Sequence, residues 1–338
     1  MHTHSTESSV SLTVTHTSIT GLLHDLATIS HGAGTRATPT GFTPLDMVLD
    51  GGFIAQELVL LGGRPGVGKT LTALQRARAA AAAGRTVAYI CYEHDEVALL
   101  GRMIVQEIAT NHPEVDATQM AALRAVIRDL VMGLRTLGEV AAVHPSVASA
   151  IESLNQSADH LTLFRASTQW SDTAWIAEIV VQHLKPGGLL VVDYLQKVPV
   201  QGFPDTREQV MRATEALKDL AVGADISVLA LAAADERGVA ARRLRLEHLR
   251  GSDSLAHECD VAMILNEKVA ATADRHLRYD MHKMESAKQR ILLSIEKNRR
   301  GQHDTHLEFV KDFANFRLDP GGAFNSDGLY EPDQPSVD

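Results

Sequence analysis

Aromatic residues make up only 4% of this 338-residue chain, so its core must be aliphatic, built from Ala, Val, Leu and Ile. Cysteine is nearly missing. Cys91 and Cys259 stand far apart, and neither belongs to a Cys-x-x-Cys pair, which speaks against a disulfide framework and a zinc site. No apolar run reaches the roughly 20 residues of a membrane span. The N-terminus lacks the basic start and apolar stretch of a signal peptide. A cytoplasmic chain with no membrane partner is expected. Positive charge is not in surplus either. The net charge of -10 speaks against a uniformly basic nucleic-acid binder but leaves room for a local basic stripe.

What the chain does have is 45% hydrophobic residues, enough for one large α/β core. Residues 1–17 are mostly Ser, Thr and His and read as a solvated arm. Ile19, Leu22, Leu23, Leu26 and Ile29 then fall on one helical stripe. Residues 1–38 therefore read as an N-terminal arm with a short linker-like helix. From Thr40 onward strands and helices alternate. The spacing predicts strands at 57–62, 86–92, 161–166, 189–192, 227–231, 261–265, 291–296 and 305–310. Helices are expected at 70–83 and 207–222 and through most of 105–158. Apolar runs of this length between helices indicate an α/β fold with a mainly parallel sheet flanked by helices, the later strands being open to antiparallel pairing. The main domain is expected at 39–320. Residues 321–338, rich in Gly, Asp, Pro and Ser, read as an acidic flexible tail.

One string carries chemistry by itself. Gly63-Arg64-Pro65-Gly66-Val67-Gly68-Lys69-Thr70 fits G-x-x-x-x-G-K-[ST]. The glycines let backbone N–H groups turn inward around phosphate oxygens. The helix that follows aims its positive end at the same anion. Lys69 is expected to reach the β and γ phosphates of ATP, and the Thr70 hydroxyl to ligate Mg²⁺. The apolar strand at 189–192 runs into Asp193, a carboxylate placed to hold the same ion. The strand at 86–92 runs into Glu93. Glu93 could polarise an attacking water, and taken alone it is equally a first-turn helix residue favoured by the dipole.

Several stretches, in order, resemble the RecA-like motor domain of DnaB-type replicative helicases. Thr40-Gly-Phe-Thr-Pro-Leu-Asp46 looks like the segment that opens that domain, and residues 63–70 like its phosphate loop. Asp193-Tyr-Leu-Gln196 is similar to its Walker B signature and is the most specific element. Lys297-Asn-Arg299-Arg-Gly301 resembles the segment that supplies a trans-acting Lys and Arg. Across residues 20–318 the resemblance implies a RecA-like P-loop ATPase, a homo-oligomer of hexameric type acting on single-stranded DNA. It assigns catalytic roles to Glu93, Lys69, Lys297, Arg299 and Arg102. RadA is the nearest related family, but the chain lacks the four cysteines of its zinc finger.

The departures are specific. Where the family carries a γ-phosphate-sensing glutamine after the strand at 227–231, this chain reads Ala232-Ala233-Ala234. Leu249-Arg250-Gly251-Ser252-Asp253 stands where the family's DNA loop reads Leu-Arg-Glu-Ser-Gly. Only about 40 residues precede the motor-like region, so the family's collar-forming N-terminal domain is not expected. Arg237, Arg242, Arg243, Arg245 and Arg250 cluster in the DNA-loop segment. Arg243, Arg245 and Arg250 are the candidate DNA contacts, with a solvated charged loop as the alternative.

Overall fold

The computed structural model of the protein describes residues 18–20, 37–203, 206–273 and 280–331. The helix expected at 19–29 lies mostly outside the described residues. From residue 37 the described residues form one compact unit. Its strands are β1 (Ala37–Thr38), β2 (Phe53–Ile54), β3 (Leu58–Gly63), β4 (Val87–Cys91), β5 (Leu161–Arg165), β6 (Leu189–Asp193), β7 (Ser227–Ala233), β8 (Val261–Glu267), β9 (Arg290–Asn298), β10 (Thr305–Asp312), β11 (Arg317–Leu318) and β12 (Ala323–Phe324). The helices used below are α1 (Thr43–Val48), α2 (Lys69–Ala82), α3 (Glu96–Asn111), α4 (Ala117–Val131), α5 (Pro145–Asn155), α6 (Thr173–His183), α7 (Thr206–Gly223) and α8 (Ser252–Glu258).

The main sheet runs β11-β10-β9-β8-β3-β7-β6-β4-β5, with β12 added to β10. From β5 across to β8 all pairings are parallel, and β9, β10 and β11 close the other side antiparallel. Burial explains the division. The strands Leu58–Gly63 and Leu189–Asp193 are buried at every position, as parallel strands covered on both faces must be. In β10 only Leu307 and Phe309 are buried, and their alternation with more exposed neighbours marks a strand with one wet face.

Two aliphatic cores sandwich the sheet. Val59, Leu61, Tyr89 and Val191 face α2 on one side, and Leu58, Leu60, Ile90 and Val192 face α6 and α7 on the other. Among the described buried residues the aromatics are Phe42, Phe53, Tyr89 and Phe309. Helix α2 reaches the sheet closely because Ala73, Ala77, Ala80 and Ala81 form its buried face. Gly41, at φ +79°, lies against the same helix, and a Cβ there would stand 2.6 Å from the Ala79 Cβ. Phe42 then packs its ring edge-on to Phe309 at 5.2 Å and under the Arg76 guanidinium at 4.4 Å. The Thr40–Asp46 segment thus anchors the helix that follows the phosphate loop.

Two boundaries differ from expectation. Ala37 and Thr38 already pair with Ile54 and Phe53, so the domain begins before residue 39. Residues 323–331, expected to be flexible tail, lie along the domain instead. Phe324 pairs with Leu307, Leu329 with Thr272, and the Tyr330 amide donates to the Ala271 carbonyl at 2.8 Å. The Gly- and Asp-rich composition hid Phe324, Leu329 and Tyr330, whose backbone finds partners there.

Candidate nucleotide-binding site

The phosphate loop connects β3 to α2, as expected. Because β3, β7, β6 and β4 are parallel, their carboxyl ends lie on one edge of the sheet, where ligands gather in open α/β folds. Gly68 caps α2 in the left-handed region at φ +100°, and a Cβ there would press on the Phe313 ring at 3.2 Å. Glycine is therefore needed for both conformation and space. The Lys69 ammonium donates to the Gly63 carbonyl at 2.8 Å and the Arg64 carbonyl at 2.9 Å, across the mouth of the loop.

Asp193 ends β6 with 1% of its surface exposed. The Thr70 hydroxyl bonds to its carboxylate, and the Tyr89 hydroxyl donates to its Oδ2 at 2.9 Å. Burial raises the Asp193 pKa above the usual carboxylate value, the two hydroxyls oppose that shift, and Glu93 adds to it. Lys69 is pushed the other way: burial lowers its pKa, while Asp193 and Glu93 hold the charge on. Glu93 is exposed, two residues beyond the end of β4. Lys69, Thr70, Glu93 and Asp193 thus converge at one sheet edge. A buried carboxylate hydrogen-bonded to a hydroxyl, with a second carboxylate nearby, is a hard-oxygen set suited to Mg²⁺, which takes few protein ligands and shares the rest with phosphate and water. Among the described residues no group of three His, Cys, Asp or Glu could hold a metal on its own.

Arg64 and Arg102 turn their side chains to other partners. The Arg64 side chain leaves the loop. Its Nε donates to the Gly238 carbonyl at 3.0 Å and an Nη to the Ala241 carbonyl, so only its backbone remains available to phosphate. Arg102, on α3, lies over the Phe316 ring at 5.6 Å, close enough to His94 for its charge to help lower that pKa, although burial is the larger cause.

Lys297 and Arg299 lie at the opposite edge. The Arg299 amide donates to the Asp260 carbonyl, and the Asp260 amide to the Leu58 carbonyl, which places Arg299 at the start of β3. The phosphate loop leaves the other end of that strand, about 16 Å away at ~3.3 Å per residue. Both side chains reach the carboxyl end of α8. Lys297 Nζ donates to the Ala256 carbonyl at 2.6 Å, and Arg299 Nη2 to the His257 carbonyl at 2.5 Å. Arg299 also pairs with Asp260 at 3.2 Å. Both side chains thus meet the same helix end.

The arginine segment divides. Arg250 is exposed. Arg243 is buried, its side chain only 5% exposed, and together with Arg245 it pairs with Glu331. Of the candidate DNA contacts, Arg243 and Arg245 thus already share an anion.

Two further residues escaped sequence reasoning. The Gln196 carbonyl oxygen accepts from the Ala233 amide at 3.0 Å, and its amide donates to the Arg250 carbonyl at 3.1 Å. It joins the Asp193 turn to the end of β7 and to the last residue of the arginine segment. Gln196 belongs to the Asp-Tyr-Leu-Gln string, yet nothing in that string states what a side-chain amide would bridge. Tyr89, on the strand beside Asp193, was legible only as core.

The family model described as the DnaB-like helicase C terminal domain matches residues 37–318. The replicative DNA helicase DnaC of Bacillus subtilis is 28% identical over 293 residues, and the replicative DNA helicase DnaB of Geobacillus stearothermophilus is 26% identical over 289; each alignment covers 82% of this chain and 56% of the relative. The chain thus spans about half the length of these curated relatives. The DNA repair protein RadA of Mycobacterium tuberculosis is 44% identical over only 59 residues, 18% of this chain and 12% of RadA. A solved ATPase domain has the same fold at a TM-score of 0.65 and 20% identity, with 88% of this chain and 96% of that one covered. A DnaB-like replicative helicase solved with attention to its primase interactions gives 0.65 and 21%, over 88% and 66%. With its phosphate loop, its Asp193-Tyr-Leu-Gln196 turn and its sheet order all in place, the chain belongs to the DnaB-like helicase C-terminal domain family.

Proposed function

We propose that this chain is the ATP-hydrolysing motor of a ring-forming DnaB-type translocase that acts on single-stranded DNA. The observation that carries this is the division of charged groups between two sheet edges. Lys69, Thr70, Glu93 and Asp193 gather at one edge, and Lys297 and Arg299 stand at the other. The second pair lies too far from its own phosphate loop to act there. A neighbouring subunit's nucleotide gives it a target, as an arginine finger has. Lys69 and the loop amides would bind the β and γ phosphates. Thr70 and Asp193 would hold Mg²⁺, which supplies charge neutralisation between phosphates. Glu93 would orient the attacking water, and Arg299 of the next subunit would steady the charge that develops on the transferred group.

Arg250, exposed and tied through Gln196 to the Asp193 turn, is the natural phosphate contact for a strand in the ring's channel. Gln196 also spans the place where Ala232, Ala233 and Ala234 replace a sensing glutamine. A second possibility is an ATPase switch that binds protein partners and no DNA. The pairing of Arg243 and Arg245 with Glu331 favours it, because those cations are already engaged.

One experiment separates the two. ATP turnover is measured with and without a poly-dT oligonucleotide, alongside unwinding of a forked duplex. The motor assignment predicts stimulated turnover, unwinding, and affinity that falls steeply with salt and shows little sequence preference. Unchanged turnover with no binding at low salt would leave the partner switch as the better account.

A further inference from the structure

The chain after β11 is held by backbone bonds along the domain edge. Ala323 and Phe324 add a short strand to β10. The Asn325 amide donates to the His306 carbonyl at 2.8 Å, and the Ala273 amide to the Gly328 carbonyl at 2.9 Å. Asp327 pairs with the buried Lys268 at 2.8 Å. This path delivers Tyr330 and Glu331 to the arginine segment. The Arg242 guanidinium lies over the Tyr330 ring at 4.6 Å. One Glu331 oxygen accepts from Arg243 and the other from Arg245.

Each part of this contact has a nucleic-acid counterpart. A carboxylate shared between two guanidiniums presents oxygens much as a phosphodiester does. An aromatic ring beneath a guanidinium is placed as a nucleobase stacked on arginine would be. Tyr330–Glu331 therefore offers one ring and one anion in the order a nucleotide does. We propose that Arg242, Arg243 and Arg245 form a one-nucleotide subsite for single-stranded nucleic acid, and that the chain's own Tyr330–Glu331 occupies it in competition with the strand.

Electrostatics makes this an exchange of anions. Arg243 is buried and stands beside the like charge of Arg245. A second carboxylate, Glu296, also feels both arginines, but its Oε2 accepts from the Leu246 amide at 2.7 Å. If Glu331 departs, the two guanidiniums lose their hydrogen-bonded anion and keep only the field of Glu296, a costly change for a buried charge. A backbone phosphate meets that need. Glu331 itself is only half-buried, 36% exposed, so it can leave without opening the core. The subsite also lies close in sequence to Gly238 and Ala241, whose carbonyls hold Arg64 of the phosphate loop.

This subsite rests on the strand-binding function proposed above, and the test keeps the two apart. Fluorescence anisotropy with labelled poly-dT is run on wild type, on Glu331→Gln, and on a chain ending at Leu329, which keeps the backbone bonds before the subsite. Both variants should bind about tenfold tighter, since an internal competitor weakens apparent affinity by the fraction of sites it fills. The slope of log affinity against log salt should steepen by about one to two, as Arg243 and Arg245 gain phosphate contacts. A merely structural role for Glu331 would leave that slope unchanged or would weaken binding. Wild type that binds poly-dT, with variants of the same affinity and slope, overturns the competition alone. Absence of binding by all three proteins at low salt overturns the strand-binding function and the subsite together.

Discussion

Burial lowers the Lys69 pKa, and two carboxylates nearby, Asp193 and Glu93, oppose that shift. The three groups are balanced against each other, and each has a different task to lose. In the proposed mechanism Lys69 would contact the phosphates of ATP already in the ground state, so Lys69→Ala should abolish nucleotide binding. Glu93 is exposed, and in the proposed mechanism it would act only on the water, so Glu93→Gln should bind ATP normally and lose about 10²–10³ in turnover. Equilibrium binding of a fluorescent ATP analogue beside steady-state hydrolysis checks both. Turnover in Glu93→Gln within a few-fold of wild type would remove Glu93 from the mechanism. At this scale the sequence spoke through spacing. The glycines, Lys69, Thr70 and Asp193 were legible because phosphate binding demands those residue types at those intervals. The Arg64 side chain was not, since its partners are backbone carbonyls 174 and 177 residues away that no local pattern announces.

Among the elements, β9 and β10 place a histidine under unusual conditions. His306 is set between Ser294, which it meets at 3.1 Å, and a group of charges that includes Arg243, Arg245, Asp304 and Glu331. Burial first, and Arg243 next, lower its pKa from 6.5 to about 4. A lowered histidine pKa means the unfolded chain takes up the proton more readily. The folded form is therefore fully favoured above pH 6.5 and loses stability as pH falls from there to about 4. The loss should be roughly 1–3 kcal/mol for a half-buried ring. Urea unfolding of wild type and His306→Gln at pH 7 and pH 5 measures it. The variant should show a smaller drop between the two pH values, and equal drops would contradict the assignment. The strands themselves were legible because each apolar run meets a helix or a glycine, and their observed ends move by only a few residues. The region 105–158 was less clear. It divides into α3, α4, a short helix Leu137–Ala141 and α5. The breaks are written in two capping boxes, Asp116 with Gln119 and Thr136 with Glu139. Their side chains satisfy the backbone only once the turn exists, so a run of helix formers concealed them.

At the scale of the whole molecule, the account depends on the distance between the two sheet edges. The order β8-β3-β7-β6-β4 follows from alternating strands and helices and puts the phosphate loop at one end of β3. The antiparallel return of β9 carries Lys297 and Arg299 back to the other end. That return could not be read from the strings alone, because an apolar strand does not state its direction. Arg300, next to the finger, pairs with Glu57 at 2.7 Å and donates to the Leu49 carbonyl at 3.0 Å, so the loop bearing Arg299 is fixed to the body of its own domain. A site completed only by a neighbour makes hydrolysis a property of the assembly. Mixing two inactive variants tests this most directly. Arg299→Ala keeps an intact nucleotide site and lacks the finger; Asp193→Ala keeps the finger and lacks the metal ligand. Each alone should hydrolyse ATP at background rates, with Arg299→Ala retaining near-normal ATP affinity. In a random equimolar ring roughly a quarter of the interfaces would join an intact site to an intact finger. The expected result is hydrolysis that rises on mixing, peaks near equal proportions and requires co-assembly. Mixed oligomers that form and remain as inactive as either parent would contradict a trans-acting Arg299.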